Sequence, residues 1–130
     1  MARLNEGIGA HLLADLFGVA AEKLCDAKEL EALLKESAAR SGLRAIAEPV
    51  VIPFGANASG GHAGVTGFIV LAESHIALHS YPELGYLAVD VFTCGPNVQP
   101  QAALDVFVKA LRPERTVVNC YVRGATSKGS

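Results

Sequence analysis

The sequence predicts an α+β fold, a two-layer sandwich in which one mostly antiparallel sheet carries two helices on one face and leaves its other face open. Three observations lead there. Apolar residues recur at helical spacing in residues 26–39 and again in residues 100–111. The other apolar runs are of strand length, and the elements follow one another as strand, helix, two or three strands, hairpin, helix, strand. Two helices cannot hide both faces of a sheet, so the open face must meet something, and the simplest partner is a second copy of the chain. A homodimer is therefore expected.

Composition narrows the function. At 130 residues the chain is expected to be one domain, spanning 1–130, and its apolar content of 51% is enough for a real core. A net charge of −2 gives no reason to expect nucleic acid or a membrane surface as a partner. The three cysteines, an odd number at scattered positions, argue against a disulfide framework, and no CxxC pair points to zinc, so no metal is expected. No apolar run reaches the length of a membrane span and no signal peptide is evident. A cytoplasmic protein is the expectation.

In chain order, residues 1–7 read as a loose lead-in and residues 9–17 as a buried strand that Gly18 ends. His11 in that strand has the chemistry of a ligand or catalytic group, although such a histidine is more often simply hydrogen-bonded in a core. Residues 26–39 form an amphipathic helix. Asp26 with Glu29 three residues on makes a capping box, Leu30, Leu33, Leu34 and Ala38 share one face, and Gly42 is a natural stop. Cys25 at its start reads as a small buried filler.

Residues 43–52 read as a second strand interrupted by Pro49, and residues 53–64 as a Gly-rich loop. The Ser59-Gly60-Gly61-His62 piece has the makings of an anion cradle but lacks Walker-type spacing and a lysine. Residues 65–72 form a third strand, apolar enough to be central. After the hairpin described next, Pro100 opens a helix whose apolar face is Ala103, Val106, Phe107 and Ala110, and Pro113 ends it. Residues 116–122 form a last strand, with Cys120 as packing, and residues 125–130 a tail.

Residues 71–95 are two alternating apolar runs around the turn-like segment Tyr81-Pro82-Glu83-Leu84-Gly85. Their polar content sets them apart: Glu73-Ser74-His75 opens the first run, His79 closes it, and Cys94 closes the second. If residues 80 and 86 face each other, opposed positions sum to about 166, and Cys94 lies near residue 72, within reach of the Glu73–Ser74 peptide. His79 lies five residues along from Ser74, about 16 Å in a straight strand, so either the strand bends or His79 serves a site in another copy. Taken singly, Ser74 is an ordinary turn serine and Cys94 an ordinary strand-end thiol.

Taken together, Glu73-Ser74-His75, His79-Ser80-Tyr81-Pro82-Glu83 and Asp90-Val91-Phe92-Thr93-Cys94-Gly95 resemble the signature of prokaryotic S-adenosylmethionine decarboxylase proenzymes, and the similarity runs from about residue 11 to residue 123. The resemblance implies a pyruvoyl-dependent, self-processing enzyme of spermidine biosynthesis. The chain would cut itself between Glu73 and Ser74 into pieces 1–73 and 74–130. It assigns Ser74 to the pyruvoyl group, which forms a Schiff base with the substrate amine and acts as an electron sink. It assigns His79 to proton abstraction during processing and Cys94 to proton donation during decarboxylation. It gives Thr66 a supporting hydroxyl in processing, where a plain β-branched strand residue is the competing reading. It also implies a dimer of processed protomers with sites near the interface.

The residue types suit those roles. A hydroxyl next to a carbonyl can shift an amide to an ester, an imidazole with an ordinary pKa of about 6.5 is a fitting base, and a thiol can return a proton. Asp90 shares a strand face with Cys94 and serves either to tune it or as a structural acceptor.

The chain departs from the family before residue 65. Val50-Val51-Ile52-Pro53-Phe54 stands where family members carry aromatic and histidine residues, and a longer Gly/Ala/Ser loop follows. Adenine needs flat stacking partners, for which Tyr81 and Phe54 are the candidates, and Glu83 is placed to accept from ribose hydroxyls. The departure keeps a second reading open, the same fold and cofactor with arginine or ornithine as substrate. A third reading is an unprocessed regulatory or binding subunit. A serine hydrolase is disfavoured, since no Gly-x-Ser-x-Gly elbow occurs.

Overall fold

The structure is a computed structural model that describes residues 8–55 and 63–124. Its strands are β1 (Gly9–Phe17), β2 (Arg44–Ala45), β3 (Val50–Phe54), β4 (Gly64–Ala72), β5 (Ser74–Tyr81), β6 (Tyr86–Cys94) and β7 (Arg115–Arg123). Its helices are α1 (Ala21–Leu24), α2 (Ala27–Arg40) and α3 (Pro100–Leu111), with a 3₁₀ turn at Pro82–Leu84. The Ser59–His62 piece and both termini fall outside the described residues.

Every strand pairing is antiparallel, and the sheet order is β2-β4-β5-β6-β1-β7, with β3 also paired to β4. One face is packed. Leu12, Ala14 and Leu16 of β1 alternate into it, as do Ile76 and Leu78 of β5 and Leu87, Val89 and Val91 of β6. Leu30 and Leu34 of α2 and Leu104 and Phe107 of α3 cover them. The two-layer expectation holds, with the helices on one face.

The helix ends follow local chemistry. Asp26 caps α2 by accepting from the Glu29 N–H at 3.0 Å. Pro100 sits in the first turn of α3, where a missing N–H costs nothing. Arg112 closes α3 in a left-handed conformation, its N–H bonded to the Val108 carbonyl at 2.9 Å, before Pro113 prevents the helix from continuing. The four-residue α1 lies in a stretch where the sequence pattern predicts no element.

The expected second strand, residues 43–52, is two pieces. β2 pairs with the end of β4, and the Ile46 N–H still reaches the Val70 carbonyl at 3.1 Å. The chain then leaves the ladder around Pro49 and returns as β3, with Val50 opposite Phe68 and Phe54 opposite Gly64. β3 is an edge strand, so the missing N–H of Pro53 leaves no gap in a central ladder.

The hairpin register also differs by one. Tyr81 faces Tyr86 and Ser80 faces Leu87, so opposed positions sum to 167, not 166. Pro82–Leu84 winds into a 3₁₀ turn closed by Gly85, whose N–H bonds the Pro82 carbonyl at 3.2 Å at a left-handed φ of 64°. Facing residues share a side of the sheet, and this register pairs Ser80 with Leu87, both fully buried. The expected register would have turned Tyr86 into the core.

Ser80 is the polar pin of that core. Its hydroxyl donates to the Leu24 carbonyl of α1 at 2.7 Å and accepts from the Val65 N–H of β4 at 2.9 Å. Replacing Ser80 by alanine orphans both buried backbone groups, so Ser80→Ala should lose about 1–3 kcal/mol of stability, measured by urea denaturation.

Candidate active site

β4 ends at Ala72 and β5 begins at Ser74, so Glu73 alone joins them. Ser74 is half-buried at the start of β5, and its hydroxyl donates to the Cys94 thiol at the end of β6 over 3.3 Å. Continuing the β5/β6 register places Ser74 opposite Thr93 and Glu73 opposite Cys94. On its other side Cys94 pairs with Gly9 of β1. A Cβ at Gly9 would lie 2.9 Å from the Cys94 sulfur and 2.5 Å from the Thr93 carbonyl oxygen, so only glycine lets the thiol rest there.

β5 runs unbroken from Ser74 to Tyr81 and does not bend back on itself. His79 therefore stays with its cross-strand neighbour Thr66, and its Nδ1 lies 3.2 Å from the Thr66 hydroxyl. One chain thus holds two pairs, Ser74 with Cys94 and Thr66 with His79, and does not bring the two together.

The open face carries rings beside both pairs. His11, Phe92 and His75 lie in one cross-strand row, with centroids 5.4 Å apart for His11–Phe92, 5.7 Å for His75–Phe92 and 6.2 Å for His11–His75. Arg123 of β7 lays its guanidinium 4.9 Å above the Phe92 ring and is 3.1 Å from His11 Nδ1. An arginine can only donate, so Nδ1 accepts and Nε2 bears the proton. That Nε2 is buried with no hydrogen-bond partner among the described residues. Burial holds the His11 pKa below the usual histidine value; Asp90 pulls against it, and Arg123 and His75 add to it. His11 is thus a neutral ring half-buried in the open face, hydrogen-bonded on one nitrogen only.

Further along the face, Tyr81 stacks on Tyr86 and Tyr86 on Phe17, at 5.4 and 5.3 Å, and Arg115 caps Phe17 at 4.4 Å. Tyr86 donates to the Asp15 carboxylate, and burial together with that carboxylate pushes its pKa up to about 12. Gly64 faces Phe54 on one side, and the β4/β5 register continues to Tyr81 on the other. Phe54 and Tyr81 thus flank a glycine, while Glu83 is exposed in the adjoining turn.

Gly9 and Arg123 carry no local signal in the sequence that would mark them; they join the site only through the pairing of β1 with β6 and β7. Among the described residues, no group of three His, Cys, Asp or Glu side chains could hold a metal ion, and no helix is long and apolar enough to cross a membrane.

Comparison with known proteins agrees with this geometry. The pattern of the family described as S-adenosylmethionine decarboxylase matches residues 10–124. An S-adenosylmethionine decarboxylase proenzyme of Methanococcus maripaludis is 36% identical over 122 residues, covering 94% of each chain. One from Carboxydothermus hydrogenoformans is 40% identical over 104 residues, covering 78% of this chain and 75% of its own. The crystal structure of the adenosylmethionine decarboxylase from Aquifex aeolicus VF5 superposes with a TM-score of 0.80 at 32% identity, covering 95% of this chain and 97% of that one. The pairing of strands, the Ser74–Cys94 contact and these likenesses lead to one statement: the chain belongs to the S-adenosylmethionine decarboxylase family.

Proposed function

We propose that this chain is a self-processing decarboxylase of S-adenosylmethionine, and that it makes a pyruvoyl cofactor from its own Ser74. The observation that carries the reading is the Ser74 hydroxyl held 3.3 Å from the Cys94 thiol, next to a one-residue connection between strands. The named relatives being proenzymes supports it.

The cut begins when Ser74 Oγ attacks the Glu73 carbonyl carbon. The C–N bond breaks, and the acyl group of Glu73 moves to the hydroxyl as an ester. Removal of the residue 74 α-proton then expels the Glu73 carboxylate and leaves a dehydroalanine. Water replaces its nitrogen, ammonia departs, and piece 74–130 starts with a pyruvoyl group. Ser74 suits this chemistry because it lies at a strand end, half-buried, with a thiol for its neighbour. The pyruvoyl group supplies the electron sink for the pair that carbon dioxide leaves behind. Cys94 then donates a proton to the substrate α-carbon.

His79, steered by the Thr66 hydroxyl, is the base for the α-proton. Five residues of unbroken strand, about 16 Å, keep it from Ser74 of its own chain. We assign it to the site of a second copy, joined through the open faces. Val50, Ile52, Phe68 and Val70 on that face are 44%, 55%, 37% and 40% exposed, an apolar cost that pairing of two faces removes.

For the substrate, Phe54 and Tyr81 offer flat partners to adenine, and Glu83 accepts from ribose hydroxyls. These groups, with the substrate named in the relatives' descriptions, favour S-adenosylmethionine over arginine or ornithine. An unprocessed binding subunit would have no use for the Ser74–Cys94 pair. The reaction supplies aminopropyl groups for spermidine, and we place it in the cytoplasm.

Mass spectrometry should find pieces of 73 and 57 residues, the smaller one lacking a free N-terminal amine and sensitive to borohydride. Ser74→Ala should remain whole; cleavage in that variant rejects the mechanism. Cys94→Ala should still cut itself but release labelled carbon dioxide about 100-fold more slowly or worse, and normal turnover would exclude the donor role. Co-expressing Ser74→Ala with His79→Ala tests the shared site. A mixed dimer has one intact Ser74/His79 combination and should cut only its His79→Ala chain, whereas a site contained in one chain predicts no cleavage at all.

A further inference from the structure

Among the described residues, Arg123 is a cation without an anion. It approaches His11 Nδ1 at 3.1 Å and covers Phe92 at 4.9 Å, and neither an imidazole nor a phenyl ring carries negative charge. The ion pairs among the described residues join other side chains, Lys23 with Glu29, Lys35 with Glu48 and Arg40 with Glu36. A guanidinium has five N–H donors, and the contact with His11 takes up one.

Pairing sets Arg123 in one cross-strand row with the thiol, and its guanidinium reaches over the neighbouring Phe92 and His11. Arg123 faces Gly9, and Gly9 faces Cys94, so the one residue between cation and thiol has no side chain. The point where a Gly9 Cβ would stand is 2.9 Å from the Cys94 sulfur and 3.2 Å from the edge of Phe92, the ring on which the guanidinium lies. Thiol and ring edge meet above Gly9, and the cation lies on that same ring.

We infer that Arg123 binds the α-carboxylate of the substrate and so sets which bond of the α-carbon breaks, a role that rests on the proposed function. The planar fork of a guanidinium matches a carboxylate with two parallel hydrogen bonds. The contacts with Phe92 and His11 hold the fork in place before substrate arrives, which lowers the ordering cost of binding.

The test compares two ligands that differ only in this group, S-adenosylmethionine and the same sulfonium without its carboxyl. Binding is measured by equilibrium dialysis on self-cleaved protein whose ketone has first been reduced with borohydride, so that no Schiff base forms and no carbon dioxide leaves. Adding Arg123→Met should weaken the carboxylate-bearing ligand about 10- to 100-fold and change the other less than about twofold. Arg123→Lys, which keeps the charge and loses the fork, should give a smaller loss confined to the same ligand and stands in if the methionine variant fails to fold. Equal effects on the two ligands, or none on either, overturn the assignment. Failure of the parent chain to cut itself would instead count against the proposed function, and a gel reads that separately.

Discussion

β5 is hydrogen-bonded on both sides, and a slip of one residue against either neighbour would turn Ile76, Leu78 and Ser80 out of the core and His75 and His79 into it. The mutual placement of the groups on β4, β5 and β6 follows from that register. It sets Thr66 against His79, brings Ser74 to the end of β6 where Cys94 lies, and aligns Phe92 with His75. Ser80 secures it from inside, because its one hydroxyl ties the strand pair to α1. The packed side of the sheet thus determines the geometry of the reactive side, one backbone thickness away.

The two faces divide the work. The helix side is almost wholly aliphatic, and the polar groups it buries, Ser37, Ser41, Ser80 and Thr93, all have hydrogen-bond partners. The open side holds the histidines His11, His75 and His79, the Asp15–Tyr86 pair and two arginines lying on rings. Such groups would be costly in a core and are available for chemistry on a surface that a second copy can close over.

How much of this was legible from the residues depends on how local the signal is. The bounds of β1 and the α2 cap at Asp26 could be read directly, as could the Pro100 start of α3, because each rests on neighbours within four positions. The nearness of Ser74 and Cys94 was also within reach, since a hairpin is a local object. Its register was not, because the loop can close over four residues as a 3₁₀ turn or over five as a wider bend with little difference in sequence. α1 is too short to show a period, and the break in the second strand is a shift of register along one edge of β4 that shows only once the strands are paired. Gly9 and Arg123 belong to strands more than 100 residues apart, and nothing near either one announces the other.

The strand order also bears on what the proposed cut would leave behind. β1 to β4 precede Ser74 and β5 to β7 follow it, yet across the sheet the two sets alternate: β4, then β5 and β6, then β1, then β7. A break at Glu73 therefore leaves two polypeptides laced together along three seams, with β1 of the larger clasped between two strands of the smaller. Neither piece would retain a continuous sheet alone, so the proposed cut would leave a non-covalent composite. The unbroken chain is what assembles it, and separated halves would have to find each other by a second-order encounter that synthesis as one chain avoids.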